Sequence, residues 1–150
     1  MGNTPYGPTL IDHFRNPRNK GRLAAPTISH EGTNPLCGDR VRIELRVEDE
    51  VVREAKFSAN ACAICVASAS MLTDLVRNAP LDEVETLLVD DILRSLDARV
   101  PNARLNCVKL PLTVMHTAVL LYRRDGGGAP DRGGPDRGAP GRGAAGGDGR

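Results

Sequence analysis

Four cysteines stand at positions 37, 62, 65 and 107. Cys37, Cys62 and Cys107 each fall where the sequence changes character, at the predicted end of an element. There, free backbone N–H groups and the dipole of a following helix favour a thiolate. Brought together, three such thiolates make a pocket suited to a soft metal. Asp39 follows Cys37 by two positions, so in extended backbone it points to the same side. Its carboxylate oxygen could complete a Cys₃Asp set. That set would hold zinc tetrahedrally, and three thiolates could also hold an iron–sulfur cluster. Gaps of 25 and then 45 residues match no zinc-finger spacing. Buried cysteine is also a common core filler, so spacing alone leaves both alternatives open. Cys62-Ala63-Ile64-Cys65 fits C-x-x-C, but the thioredoxin-like βαβ context of a redox pair is missing. A catalytic Cys–His dyad is another option, though spacing places none of the three histidines for it. His13 and His116 read as surface or cap residues, and His30 as a loop residue.

Elements that could position these groups are readable from periodicity. Thr9–Phe14 is a short helix candidate, stopped by the turn chemistry of Asn16-Pro17-Arg18-Asn19-Lys20-Gly21. Residues 25–36, with Pro26, Gly32 and Pro35, read as irregular or short-strand structure. Val41, Ile43, Leu45 and Val47 alternate with charged residues, which predicts a half-buried strand. After the polar turn Glu48-Asp49-Glu50, Val51, Ala55 and Phe57 repeat that alternation imperfectly around Arg53. Ile64, Ala67, Met71 and Leu75 then fall at helical spacing. Leu81–Leu96 reads as one amphipathic helix with Val84, Leu87, Leu88 and Ile92 inward. Leu110, Val114, Ala118 and Leu121 mark a last helix, with Pro111 tolerable in its first turn only. Strands followed by helices make an α+β class: a small antiparallel sheet with helices on one face.

Composition bounds the function. The chain has 150 residues, 40% hydrophobic and 26% charged, which suits one globular domain. A net charge of +1 argues against a general nucleic-acid binder. No run approaches the 18 or so apolar residues of a membrane span, so no membrane is expected. Four cysteines without a recognisable secretory signal point to a reducing, cytoplasmic setting. Residues 125–150 hold 11 of the 16 glycines and equal numbers of Arg and Asp. The expected working domain is therefore 1–124, with 125–150 a disordered, solvated tail. Without an aromatic to stack on bases, that tail does not read as a nucleic-acid arm.

Four motifs in order carry a resemblance. They are Tyr6 with Asp12-His13-Phe14-Arg15-Asn16-Pro17-Arg18-Asn19-Lys20-Gly21; Cys37-Gly38-Asp39; Lys56-Phe57 with Cys62 and Ala67-Ser68-Ala69-Ser70-Met71-Leu72-Thr73; and Arg104-Leu105-Asn106-Cys107. Over nearly all of residues 6–123 the chain resembles the NifU/IscU/SufU family of iron–sulfur cluster assembly scaffolds. The resemblance implies the small α+β scaffold fold. It implies that Cys37, Cys62 and Cys107 are the metal- and sulfur-binding thiolates. Asp39 would be a fourth ligand or a cluster-labilising carboxylate. Cys107 would accept persulfide sulfur from a cysteine desulfurase, which asks for an exposed, ionised thiol. The cargo would be a transient [2Fe–2S] cluster passed to apo-proteins. Alternatively, a resident Zn²⁺ would serve a sulfur relay. A purely structural zinc module is the reading from another class. Arg104 would support the thiolate charge, with Lys109 a weaker candidate, and Cys65 shares a helical face with Cys62. The basic Arg15, Arg18, Lys20 and Arg22 would face an acidic partner surface.

Three positions depart from the family. Asn106 stands where many IscU-type members carry histidine, and the gap to Cys107 is too short for the extra SufU stretch. Ala61 replaces a glycine, which would be strained if that position needs positive φ. Cys65 replaces a residue that is usually serine.

Overall fold

Alternating apolar and charged residues from Val41 to Val47 dictate a strand with one buried face. In the computed structural model, which describes residues 7–35 and 38–125, this strand is β2 (Asp39–Glu48). It is the middle of a three-stranded antiparallel sheet, between β1 (Ile28–Asn34) and β3 (Val51–Asn60). Val41, Ile43 and Leu45 are wholly buried, as are Val52 and Phe57 from β3. The hairpin turns on Asp49 and Glu50, both at positive φ (55° and 65°), a left-handed pair that matches strand twist. Arg46 pairs with Glu54 but Val47 with Val52, so Arg53 is an extra residue. This bulge is why the alternation in β3 is imperfect: it shifts the phase between Val52 and Ala55.

β1 is a full strand where the sequence suggests only irregular or short-strand structure. It pairs with β2 from Ile28↔Leu45 to Asn34↔Asp39. Its inward residues after Ile28 are His30, Gly32 and Asn34, which are polar or small, so no hydrophobic alternation announces it. Pairing with β2 makes it a strand, and His30 therefore lies in a strand rather than a loop.

The described residues also form five helices: α1 (Gly7–Arg15), α2 (Ala63–Val76), α3 (Leu81–Thr86), α4 (Val89–Leu96) and α5 (Leu105–Arg124). A 3₁₀ turn, Asn102–Arg104, leads into α5. By its contacts the chain divides after Leu120. Of the second part only residues 121–125, including the end of α5, are described, so the expected disordered tail, Asp125 apart, lies outside the described residues. α2 is buried nearly all round, from Ile64 through Val76, rather than along one stripe. The single helix expected over 81–96 is two. Val84 O accepts the His116 Nε2 contact at 3.0 Å and the Leu87 N–H at 3.3 Å. Leu87 and Leu88 are extended, and Asp91 Oδ2 accepts the Leu88 N–H at 2.8 Å to start α4. Leu88 is consequently 63% exposed rather than inward. His116 is thus a tertiary contact, not a surface or cap residue.

α5 begins earlier than its apolar spacing suggests, and Pro111 sits in its second turn. Proline lacks the N–H that would bond the carbonyl four residues back, so the Cys107 C=O has no partner at position 111. By length and hydropathy Asn102–Arg124 could cross a membrane. Its Val108, Leu110, Val114, Met115, Ala118 and Val119 are buried instead, as in a core helix. Gly32 seats it: a Cβ there would meet Val114 Cγ2 at 2.7 Å. Leu110 touches the same point, and Cys107 lies one turn before it on that face.

The segment after α1 is held by polar contacts. His13 is buried, and its Nδ1 lies 2.7 Å from Ser70 Oγ, which also accepts the Arg18 N–H at 2.8 Å. His13 is therefore an interior residue, contrary to its surface reading. Burial, and then the Arg18 charge, lower its pKa. Asn19, at φ 64°, donates to Thr73 Oγ1 and Asp74 Oδ1. The Asn19 carbonyl accepts the Phe57 N–H at 2.9 Å, and the Gly21 N–H donates to the Phe57 carbonyl at 2.7 Å. These bonds occupy the edge of β3.

Glu44 anchors the chain that follows. Its carboxylate, with a side chain only 3% exposed, accepts from Leu23 N–H, Arg22 Nε and Arg42 Nε. Burial pushes its pKa up, but these donors together outweigh burial and leave it below the ordinary value of 4.5. A lowered carboxylate pKa contributes stability that is present above the unfolded value and lost as pH falls through the folded one. We expect Tm to fall with pH below about 4.5, the unfolded value. Glu44→Gln should remove part of that acid limb and cost about 2 kcal/mol at neutral pH. Thermal melting of both proteins from pH 3 to 7 checks this.

Candidate metal centre

Three chain-distant positions meet at one end of the sheet. Asp39 opens β2, Cys62 is the residue before α2, and Cys107 lies in the first turn of α5. One ligand atom from each, a carboxylate oxygen and two Sγ, all lie within 4.8 Å of one another. Local structure aims them. β3 ends at Asn60, and the chain turns through Ala61 into α2. Asp39 Oδ1 accepts the Cys62 N–H at 3.2 Å, which ties the start of β2 to the start of α2. Ala61 is absent from the described residues at positive φ, so it adopts its place without the strain that a glycine-only position would impose. Gly38 does take positive φ (75°), and its N–H donates to the Asn34 carbonyl at 2.7 Å. Cys37 lies outside the described residues.

The donor set fits a cation. Asp39 is buried, and its Oδ2 has no hydrogen-bond partner among the described residues. A buried carboxylate oxygen left so is costly unless something positive meets it. With the Cys62 and Cys107 sulfurs grouped with this carboxylate, a soft or borderline metal would suit the set. Cys62 is half-buried, whereas Cys107 is 2% exposed. Burial, the adjacent Cys62 thiol and, in opposition, the Arg104 guanidinium bring the Cys107 pKa up to about 11. Cys107 is thus buried rather than exposed as expected of an acceptor thiol, and a bound metal ion would favour its thiolate form.

Arg104 is exposed on the 3₁₀ turn, and the nearby Cys62 and Cys107 raise its pKa. Cys65 is wholly buried on α2 and is not part of the ligand cluster among the described residues. Lys109 is exposed. Asn34 is a neighbour the sequence reading passed over. It pairs with Asp39 across the β1–β2 ladder, on the same face. The signal was weak: one asparagine in a stretch without hydrophobic period.

Comparison with known proteins follows the same lines. The family model described as "NifU-like N terminal domain" matches residues 5–127. The "Zinc-dependent sulfurtransferase SufU" of Bacillus subtilis is 40% identical over 85 residues, 57% of this chain and 55% of that protein. The "Iron-sulfur cluster assembly scaffold protein IscU 1" of Archaeoglobus fulgidus is 30% identical over 123 residues, 81% of this chain and 79% of that protein. The chain spans only 23% of the "Bifunctional protein NifU/MnmA" of Rubrobacter xylanophilus, at 33% identity over 114 residues. It also spans little more than half of the Bacillus protein. The fold matches the crystal structure titled as a putative iron-sulfur cluster assembly scaffold protein for the SUF system from Fervidobacterium islandicum. There the TM-score is 0.68 at 18% identity, covering 79% of this chain and 99% of that one.

Proposed function

Since the chain belongs to the NifU-like N-terminal domain family, we propose that it serves iron–sulfur cluster assembly as a scaffold, with Asp39, Cys62, Cys107 and Cys37 as the site. One observation carries this: a carboxylate oxygen of the buried Asp39 and the sulfurs of Cys62 and Cys107 all lie within 4.8 Å of one another. The cargo is a [2Fe–2S] cluster, assembled on the three thiolates and Asp39 and passed to apo-proteins. Thiolate ligands suit iron and sulfide, and one hard carboxylate among them makes a ligand that exchanges readily. Sulfur arrives from a cysteine desulfurase. Cys107, as the thiolate that a bound metal would favour, would attack the outer sulfur of the partner's persulfide. A new S–S bond forms at Cys107, the partner's S–S bond breaks, and the partner's sulfur leaves as thiolate, with no net oxidation. The setting is a reducing one, the cytoplasm, where such thiols persist.

A second reading has its own support. Asn106 replaces the histidine of IscU-type members, and the 40% identical Bacillus protein is named zinc-dependent. Cys₃Asp is a tetrahedral zinc set. In this reading a resident zinc ion holds the thiols deprotonated, and the protein relays sulfur as a sulfurtransferase rather than building clusters.

Elemental analysis and visible absorption of protein purified without air separate the two. Iron with acid-labile sulfide, absent in Cys37→Ser, is expected for the scaffold. One equivalent of tightly held zinc without sulfide would favour the relay, to be followed by a desulfurase assay with and without the protein. Neither metal retained or taken up would sink both.

A further inference from the structure

Cys62 and Cys65 open α2 at two positions that can meet. Cys62 is the residue before the helix, and Cys65 is the third residue inside it. The Val66 N–H donates to the Cys62 carbonyl at 3.0 Å, which closes the turn spanning both. Residues three apart on such a turn have Cα atoms about 5 Å apart, inside the roughly 4.4–6.8 Å that a disulfide bridges. Cys62 is extended (φ −68°, ψ 167°) and its side chain makes no capping hydrogen bond. In a capping box, side chains at these same two positions reach back across the turn toward each other's backbone. The Cys62 N–H is held on Asp39 Oδ1 at 3.2 Å, so the sulfur can rotate toward Cys65 while the chain stays in place. Burial separates the roles. Cys62 is half-buried, within reach of a small oxidant, whereas Cys65 is wholly buried. An accessible thiol beside a second thiol that can resolve it is the arrangement of a reversible redox pair. The serine usual at position 65 in the family could not close this bond, so the pair belongs to this chain's own sequence.

We propose that Cys62 and Cys65 form a redox site for hydrogen peroxide, whose oxidation withdraws Cys62 from the metal-binding set. The Cys62 sulfur attacks one peroxide oxygen. The O–O bond breaks, the other oxygen leaves as water, and Cys62 becomes a sulfenic acid. The Cys65 thiol then attacks the Cys62 sulfur. The S–S bond forms, the S–O bond breaks, and a second water leaves. The two thiols lose two electrons in all, and the peroxide is reduced to two waters. The disulfide itself is independent of the metal-site reading above; its effect on metal rests on that reading. The Cys107 sulfur also lies near Cys62, but it comes from α5 rather than from the same turn, so a bond to Cys107 is the competing outcome.

The experiment treats the metal-free full-length protein with hydrogen peroxide, blocks the remaining thiols and maps the tryptic peptides by mass. Cys62 and Cys65 share peptide 57–77, while Cys107 falls in peptide 105–109. Peptide 57–77 should be two hydrogen atoms lighter in wild type, and a thiol reductant should restore it. The same bond should form in Cys107→Ser. Oxidised wild type should lose the zinc-induced rise in Tm and regain it on reduction. Zinc added before the peroxide should slow the bond, because Cys62 is then a ligand. Cys62 oxidised to sulfinic acid, or joined to Cys107 or Cys37 in place of Cys65, overturns the proposal. So does an oxidised protein that keeps the full zinc-induced rise. Reduced wild type that binds no zinc would overturn the site reading instead, a result visible before any oxidant is added.

Discussion

Cys107→Ser is expected to bind zinc at least a thousandfold more weakly than wild type. A serine hydroxyl does not ionise near neutral pH, so the site loses an anionic ligand and not only a sulfur. Metal bound to the folded state stabilises it by RT ln(1 + [L]/Kd), so a thousandfold loss removes about 4 kcal/mol of metal-linked stability. In a domain of this size that corresponds to about 15 °C of zinc-induced rise in Tm. The metal-stripped variant should differ much less. The replacement is nearly isosteric, and the cost is that of placing a hydroxyl where a weakly polar thiol was buried, about 1–2 kcal/mol. Melting curves with and without zinc separate the two contributions. A variant that keeps the full zinc-induced rise would remove Cys107 from the ligand set. Cys65→Ser is the natural contrast. It is buried outside the cluster, so it should lose packing while retaining the zinc-induced rise.

Phe57→Ala should be the most damaging core substitution. The chain has only two phenylalanines and no tryptophan. Phe57 is fully buried and heads the largest wholly enclosed side chains. It pairs with Ile43 across the sheet, while its backbone N–H and carbonyl hold Asn19 and Gly21. Truncating a buried phenylalanine costs about 3–5 kcal/mol, a large share of the 5–15 kcal/mol typical of a domain. Urea unfolding should show a lower midpoint with little change in slope. Phe57→Leu fills most of the cavity and should cost less than half as much. Equal losses for the two would mean that volume is not what Phe57 supplies. Because β2 carries Asp39 and β3 leads into Cys62, zinc should partly restore the alanine variant through linkage.

Several features were legible in the sequence because they are local. The β2 alternation from Val41 to Val47 needs only a one-sided sheet, and it appears as such. The start of α2 just after Cys62 is marked by the change from period two to helical spacing. The ordered motifs around Cys37, Cys62 and Cys107 pointed to the family that residues 5–127 match. Where the reading failed, a tertiary partner decided. β1 lacks hydrophobic alternation and exists through its ladder with β2. The 81–96 segment breaks at Leu87-Leu88, where Val84 O also meets His116 from α5. His13 is interior because Ser70 and the Arg18 backbone supply a polar niche from across the fold.

The same division holds for the site. Residue chemistry belongs to the sequence: two soft sulfurs and a carboxylate are donors suited to a metal, and Asp39 next to a Cys-Gly turn limits where its side chain can point. What only the tertiary structure decided is distance, burial and sign of charge. Asp39, Cys62 and Cys107 come within 4.8 Å because the sheet, α2 and α5 pack together, with Gly32 allowing α5 its close approach. That packing also buries Cys107 and raises its thiol pKa. Side-chain type is inherited from the chain, but electrostatics depends on separation and solvent, and those exist only once remote segments are packed.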